Sequence, residues 1–275
     1  NADALVSLLS DNIDEEVINK CSNLKIIANY AVGYDNIDLK EAEENNIYIS
    51  NTPGVLTETT ADMTWVLMMT AARRIVESDR YVRDLKYEGW GPELLLGQKV
   101  YGKTIGIIGF GRIGQAVAKR AAGFDMEILY NKRTPLSDQE EKKLKASYAE
   151  LNDLLERSDF VTINAALNES TYHLIDKEEL KIMKSNAVLV NTGRGPIINE
   201  PVLAEALADH EIFAAGLDVY EEEPTVYPML LELDNVVLTP HIGSATVDAR
   251  NKMAEMVVKN VIAVLSGNKP VNQVV

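Results

Sequence analysis

Residues Thr104–Lys119, Thr-Ile-Gly-Ile-Ile-Gly-Phe-Gly-Arg-Ile-Gly-Gln-Ala-Val-Ala-Lys, constrain this chain more than any other segment. An apolar run ends at Ile108, glycines follow at 109, 111 and 114, and a helical pattern starts at once. That order reads as strand, tight turn, helix. Gly109 permits the sharp turn, Gly111 lets a pyrophosphate approach the backbone, and Gly114 lets the helix pack closely on the strand. The helix N-terminus then offers N–H groups and a positive dipole end to phosphates. A second strand-like run, Met126–Tyr130, completes a βαβ unit, which lifts the motif above an isolated Gly-x-Gly-x-x-Gly.

The residues after that second strand bear on the cofactor. A ribose 2′-hydroxyl is usually held by an Asp or Glu about 20 residues past the glycines. This chain carries Asn131-Lys132-Arg133-Thr134 there. No carboxylate is present to accept the hydroxyl bonds or to repel a 2′-phosphate, whereas Lys132 and Arg133 can pair with one. The reading is NADP(H). The alternative is NAD(H), with Asn131 on the ribose and the two cations in a solvated loop.

The chain has 275 residues and a formal net charge of −15, so non-specific binding to nucleic acid or an acidic membrane is not expected. The single cysteine, Cys21, excludes an intrachain disulfide and is simplest as a small buried apolar residue. No signal peptide or apolar run of membrane-spanning length is visible, and a soluble cytoplasmic protein is the expectation.

From Lys103 to Thr239, strand-like runs (Thr104–Ile108, Glu127–Tyr130, Phe160–Asn164, Ala187–Asn191, Ala214–Asp218, Val236–Leu238) alternate with helical patterns at Gly114–Ala122, Tyr148–Glu156, Asp176–Met183 and Glu200–Ala208. Apolar strands separated by helices predict a doubly wound parallel sheet of Rossmann type, here with six strands. The first fifty residues predict a smaller α/β unit, with strands at Ala4–Leu9, Leu24–Ala28 and Ile47–Ser50 and helices at Asp14–Cys21 and Leu39–Glu44. Three strands are few for such a sheet, and the expectation is that an N-terminal strand is missing. Glu58–Lys86 reads as one long helix, apolar nearly all round its middle and so buried. Gly89–Gly102 reads as a loop or arm. Thr246–Leu265 reads as an amphipathic helix able to return to the smaller unit.

Three residues that can do chemistry follow strands of the larger unit, where α/β folds collect their sites. Arg194, in Asn191-Thr-Gly-Arg-Gly195, can hold a carboxylate with two bonds. His241, in Thr239-Pro-His-Ile-Gly243, suits proton transfer near neutral pH. Glu223, in Glu221-Glu-Glu-Pro224, can orient an imidazole. Each also has a plain reading as a loop residue, and it is their shared placement that marks them. His173 and His210 lack it and read as structural. There is no zinc-ligand spacing and no Gly-x-Ser-x-Gly elbow.

Taken together, Ala31-Val-Gly-Tyr-Asp-Asn-Ile-Asp38, Asn51-Thr-Pro53, the glycine motif, Asn191–Gly195, Gly216–Pro224 and Leu238–Thr246 closely resemble the D-isomer-specific 2-hydroxyacid dehydrogenases. The resemblance is strongest to their glyoxylate, hydroxypyruvate and 2-ketogluconate reductase branch and runs over nearly the whole chain. It implies His241 as acid/base, Glu223 (the Glu directly before the Pro) as its partner, and Arg194 as substrate anchor. It implies that Val32 and Gly33 present backbone N–H groups to a substrate carboxylate. It places Gly109, Phe110, Gly111, Arg112, Ile113 and Gly114 along the pyrophosphate. Thr192, Gly193, Asp218 and Gly243 fall on the nicotinamide side. It implies two α/β domains, a flavodoxin-like substrate domain at 1–53 and 242–275 and a dinucleotide domain at 54–241. It further implies a homodimer built through the long helix and arm. The chain departs from the family in lacking some N-terminal residues and in carrying Asn131 where many NAD-using members have Asp. The expected activity is reduction of a small 2-oxo acid. The alternatives are a dinucleotide-sensing binding protein such as a corepressor of the same fold, a formate dehydrogenase (which would carry Gln at position 223) and a phosphoglycerate dehydrogenase.

Overall fold

The computed structural model describes residues 2–275. The chain divides into two compact units, one made of residues up to Thr59 with Ser244–Val275, the other of Thr60–Gly243.

The smaller unit is a three-stranded parallel sheet, β1 (Ala4–Ser7), β2 (Ile26–Asn29) and β3 (Tyr48–Ser50), in that order. Two short helices, α1 (Glu15–Asn19) and α2 (Leu39–Glu44), connect the strands. Each starts at an aspartate, Asp14 or Asp38, whose carboxylate accepts a first-turn N–H. Ile27, Ile49, Ile18 and Leu24 fill one face of the sheet. The other face, with Ile26 and Ala28, packs against Val257 and Val264 of the C-terminal helix. The tail then runs along β3, where Val274 N–H donates to Ile49 O at 2.7 Å.

The larger unit opens with a break that the sequence pattern did not reveal. In place of one helix over Glu58–Lys86 there are two, α3 (Thr57–Ala72) and α4 (Ile75–Arg83). The arm is the cause. Gln98 N–H takes the Ala72 carbonyl at 2.7 Å, a group that a continuing helix would need for itself. Arg74 then turns into the left-handed region at φ 52° and forks onto Glu77. The middle of α3 is less enclosed than its composition implies, since Trp65, Leu67 and Met68 are buried but Val66 is not.

Behind α3 lies a seven-stranded sheet, all parallel, one strand more than expected. It comprises β4 (Thr104–Ile108), β5 (Glu127–Asn131), β6 (Ala146–Tyr148), β7 (Phe160–Ile163), β8 (Val188–Asn191), β9 (Ala214–Leu217) and β10 (Val236–Leu238), in the order β10-β9-β8-β7-β4-β5-β6. The additional strand is β6, from a stretch partly read as helix. Tyr148 pairs with Tyr130 along the sheet, and its N–H is also held by Glu141, so α7 (Leu151–Arg157) starts only at Leu151. The remaining helices are α5 (Arg112–Ala121), α6 (Asp138–Leu144), α8 (Lys177–Ile182) and α9 (Glu200–Ala208), and in the smaller unit α10 (Val247–Leu265). Apolar side chains cover both sheet faces, so β4, β7, β8 and β9 read as apolar runs rather than alternating ones. Each buried Ile or Leu contributes roughly 1.5–3 kcal/mol through removal from water. Among the described residues no helix is long and apolar enough to cross a membrane.

Candidate active site

In the larger sheet β4 pairs with β5 on one side and β7 on the other, so the winding direction reverses at β4. Reversal opens a crevice at the carboxyl ends of the strands, the usual ligand position in such folds. All the candidate residues of this unit lie at those ends.

The glycine turn leaves β4 there. Gly109 has φ +86°, and a Cβ on it would fall 2.5 Å from Ala165 N, beyond β7. A Cβ on Gly114 would fall 2.3 Å from Gly109 O, so helix and turn touch through backbone alone. Over Gly111 the situation is opposite: a Cβ would meet nothing within 4 Å. Gly111 caps α5 without a side-chain bond. The first-turn amides of Arg112, Ile113 and Gly114 thus adjoin open space at a helix N-terminus, which fits a pyrophosphate. Phe110 is buried, and only its backbone is placed to meet a ligand.

At the end of β5, Asn131 accepts Gly109 N–H on its carbonyl at 2.9 Å and spends its side-chain amide on Ala149 O at 2.9 Å. Its Oδ1 and its second amide hydrogen make no hydrogen bond among the described residues and are the groups it can offer a ribose. Lys132 is half-buried and Arg133 and Thr134 are exposed.

Beyond β8, Asn191 shapes the turn that carries Arg194. Its Oδ1 accepts Gly193 N–H at 3.0 Å and its Nδ2 donates to Arg194 O at 2.9 Å. The hydroxyl of Thr192 is shared with Thr64 at 2.8 Å and receives Asn164 Nδ2 at 3.0 Å. Gly195 presses on the next loop, where a Cβ would lie 1.8 Å from Tyr220 O. That contact sets Arg194 beside the segment bearing Glu223.

Glu223 Oε2 lies 2.9 Å from His241 Nδ1, while Oε1 accepts Tyr220 N–H at 3.2 Å. Burial works against its ionisation, but the His241 hydrogen bond and charge, the Tyr220 N–H and the Arg194 guanidinium prevail and hold its carboxyl below the ordinary value. His241 Nε2 has no hydrogen-bond partner among the described residues, and the side chain is 29 % exposed. The residue sits at φ 52°, a left-handed conformation costing roughly 1–2 kcal/mol. Asp218, 1 % exposed, holds it there. Its carboxylate accepts Thr239 Oγ1 at 2.7 Å, Ile242 N–H at 2.8 Å and Gly243 N–H at 2.7 Å. Those bonds make Asp218 the staple of the His241 loop and engage the Gly243 amide, features invisible in the motif spelling. Tyr220 adds a second staple, its hydroxyl donating to Thr239 O at 2.9 Å. Burial pushes that phenol up to about 12.

Glu200, absent from the sequence-based candidates, anchors the Glu223 loop from behind. Its buried carboxylate accepts Glu221 N–H at 2.6 Å and Tyr227 N–H at 3.4 Å. It follows the Asn199 cap of α9, and sequence alone shows it only as a first-turn acid. Val32 and Gly33 belong to the smaller unit, in the loop after β2. Asn51 Nδ2 donates to Val32 O at 2.8 Å and Asn29 Nδ2 to Gly33 O at 2.7 Å, so both carbonyls are tied down.

Fold and site together define a dinucleotide-binding α/β protein with an imidazole–carboxylate pair at the carboxyl ends of its strands. Comparison with known proteins is consistent with that class. The model of the D-isomer specific 2-hydroxyacid dehydrogenase, NAD binding domain, matches residues 65–243. A glyoxylate reductase of Thermococcus onnurineus is 53% identical over 274 residues, spanning 98% of this chain and 82% of that protein. A solved Thermus thermophilus structure superposes with a TM-score of 0.94 at 45% identity, over 100% of this chain and 86% of that one. An NADPH-dependent glyoxylate/hydroxypyruvate reductase from Sinorhizobium meliloti, in complex with NADP and malonate, superposes with a TM-score of 0.91 at 32% identity, over 99% and 84%. The chain belongs to the D-isomer-specific 2-hydroxyacid dehydrogenase family. It is an NAD(P)-dependent oxidoreductase of 2-oxo and 2-hydroxy acids, and the sensor or corepressor alternative is not favoured.

Proposed function

We propose that this chain reduces a small 2-oxo acid of the glyoxylate or hydroxypyruvate kind, with NADPH as the preferred reductant and His241 as the proton donor. The observation that carries this reading is the Glu223–His241 pair. Nδ1 is held by a carboxylate at 2.9 Å, which leaves Nε2 as the nitrogen able to serve a substrate. When bound, a reduced nicotinamide supplies hydride to the keto carbon. His241 Nε2 gives its proton to the oxygen of that carbon, and Glu223 steadies the imidazole in both states. Arg194 holds the substrate carboxylate, an always-charged fork suited to two parallel bonds. For Val32 and Gly33 the reading is donation of backbone N–H groups to a substrate carboxylate.

The preference for NADPH rests on Lys132 and Arg133 and on the absence of an acid at position 131. The Sinorhizobium meliloti relative, named for NADPH and for both substrates, supports it. A homodimer is proposed as well. Its support is the exposure of Leu85, just past α4, and Trp90, in the arm, at 90% and 84%.

The test is oxidation of NADPH and NADH, followed by nicotinamide absorbance, with glyoxylate, hydroxypyruvate and 2-ketogluconate in parallel. Turnover with higher kcat/KM for NADPH is expected. Turnover with NADH alone refutes the cofactor reading and keeps the reductase. Cofactor binding without turnover of any 2-oxo acid refutes the substrate reading.

A further inference from the structure

Tyr130 is the last core residue of β5 before the Asn131–Leu136 loop. Its side chain is fully buried. The ring is stacked on Phe110, inside the glycine turn, at a centroid distance of 4.3 Å and an interplanar angle of 22°. Its other end reaches past the loop. The hydroxyl accepts Leu136 N–H at 2.8 Å and donates to Glu141 Oε1, on α6, at 2.7 Å. Glu141 Oε1 also accepts Tyr148 N–H at 3.1 Å, which fixes the carboxylate against β6. One side chain thus spans from the pyrophosphate turn to the far end of the segment bearing Lys132 and Arg133.

A buried tyrosine needs partners for its hydroxyl, and this one has two. Burial, with the Glu141 bond, pushes the phenol up to about 12, so it stays a donor across the neutral range. Packing alone would not require the hydroxyl, since phenylalanine fills the same space and keeps the ring stack. The hydroxyl's distinct effect is to close the loop between β5 and α6. A closed loop presents its cations at lower entropic cost to a ligand than an open one.

We propose that Tyr130 is a positioning residue for the adenosine half of the cofactor, coupling the glycine turn to the Asn131–Leu136 loop and thereby setting discrimination for or against a 2′-phosphate. The proposal rests on the reading of Lys132 and Arg133 as the phosphate-holding cations. Glu141 acts through Tyr130 in the same device.

The experiment is a fluorescence titration of NADPH and NADH binding to the purified protein, with melting temperature as a check on folding. Wild type is compared with Tyr130→Phe, Glu141→Gln, Glu141→Ala and the double variant Lys132→Ala/Arg133→Ala. Tyr130→Phe is expected to raise the Kd for NADPH by roughly fivefold or more and that for NADH less than about twofold. Glu141→Gln, whose amide oxygen still accepts both bonds, keeps the wild-type ratio of the two Kd values; Glu141→Ala follows Tyr130→Phe. A folded Tyr130→Phe protein with an unchanged ratio, or with both cofactors weakened alike, overturns the proposal. If the double variant raises the ratio of the NADPH Kd to the NADH Kd and Tyr130→Phe does not, the positioning role fails and the phosphate reading stands. If Tyr130→Phe raises that ratio and the double variant does not, the phosphate reading fails, and the proposal that Tyr130 acts through those cations fails with it.

Discussion

Two glutamates of one short loop each meet a histidine, and the two meetings differ. Glu223 reaches His241 through Nδ1 at 2.9 Å and leaves Nε2 without a hydrogen-bond partner among the described residues. Glu221 reaches His173 through Nε2 itself at 2.6 Å, and the His173 ring is stacked on Tyr172 at 4.1 Å. The other oxygen of Glu221 accepts Glu200 N–H at 3.2 Å. In the first pair the carboxylate orients an imidazole whose far nitrogen can still act. In the second the far nitrogen is consumed and the pair ties the Glu221 loop to the segments at His173 and α9. Residue type and neighbourhood are shared; the ring nitrogen engaged is what separates a working pair from a structural one.

Substitutions at the two pairs put that distinction at risk. The largest effect is expected at His241. His241→Ala should lower kcat for 2-oxo acid reduction by about 100-fold or more, the usual scale for loss of a positioned acid–base group, as read from steady-state kinetics. A loss under twofold would remove His241 from the reaction. Next comes Glu223→Gln, expected to lower kcat by roughly tenfold because the imidazole loses its charged partner. This substitution also has a pH signature. The folded-state pKa of Glu223 is depressed. Its stabilising contribution is therefore present above the ordinary carboxylate value of about 4.3 and is lost as pH falls through the lower folded value. Urea midpoints of wild type and variant should differ at neutral pH and converge below the carboxylate range; a gap that persists there would refute the linkage. The smallest effect on turnover belongs to Glu221→Gln. It should leave kcat and KM within about twofold while lowering stability by about 1 kcal/mol, a Tm decrease of roughly 2–4 °C by calorimetry. A kcat loss matching that of Glu223→Gln would erase the difference between the pairs.

Much of this arrangement was legible along the chain, for a physical reason. Gly109 and Gly114 mark their turn because only residues without Cβ tolerate φ +86° or a neighbouring carbonyl at 2.3 Å. The apolar runs of β4, β7, β8 and β9 mark buried parallel strands, and Arg194, Glu223 and His241 stand out by following such strands. What stayed hidden depends on partners distant in sequence. The break between α3 and α4 is made by Gln98 of the arm taking the Ala72 carbonyl. Strand β6 is made by pairing with β5. Asp218, which the family resemblance puts on the nicotinamide side, also carries three hydrogen bonds from the His241 loop, and those its spelling did not show.

The sequence by itself determined part of the backbone: where β4 and β8 end and where the glycine turn forms. These follow from steric and hydrogen-bonding preferences acting over a few residues. Only the tertiary structure decided which glutamate holds which histidine, and by which nitrogen. That choice depends on three loops from separate strand ends meeting at about 3 Å, a distance on which a hydrogen bond depends and which no local preference specifies.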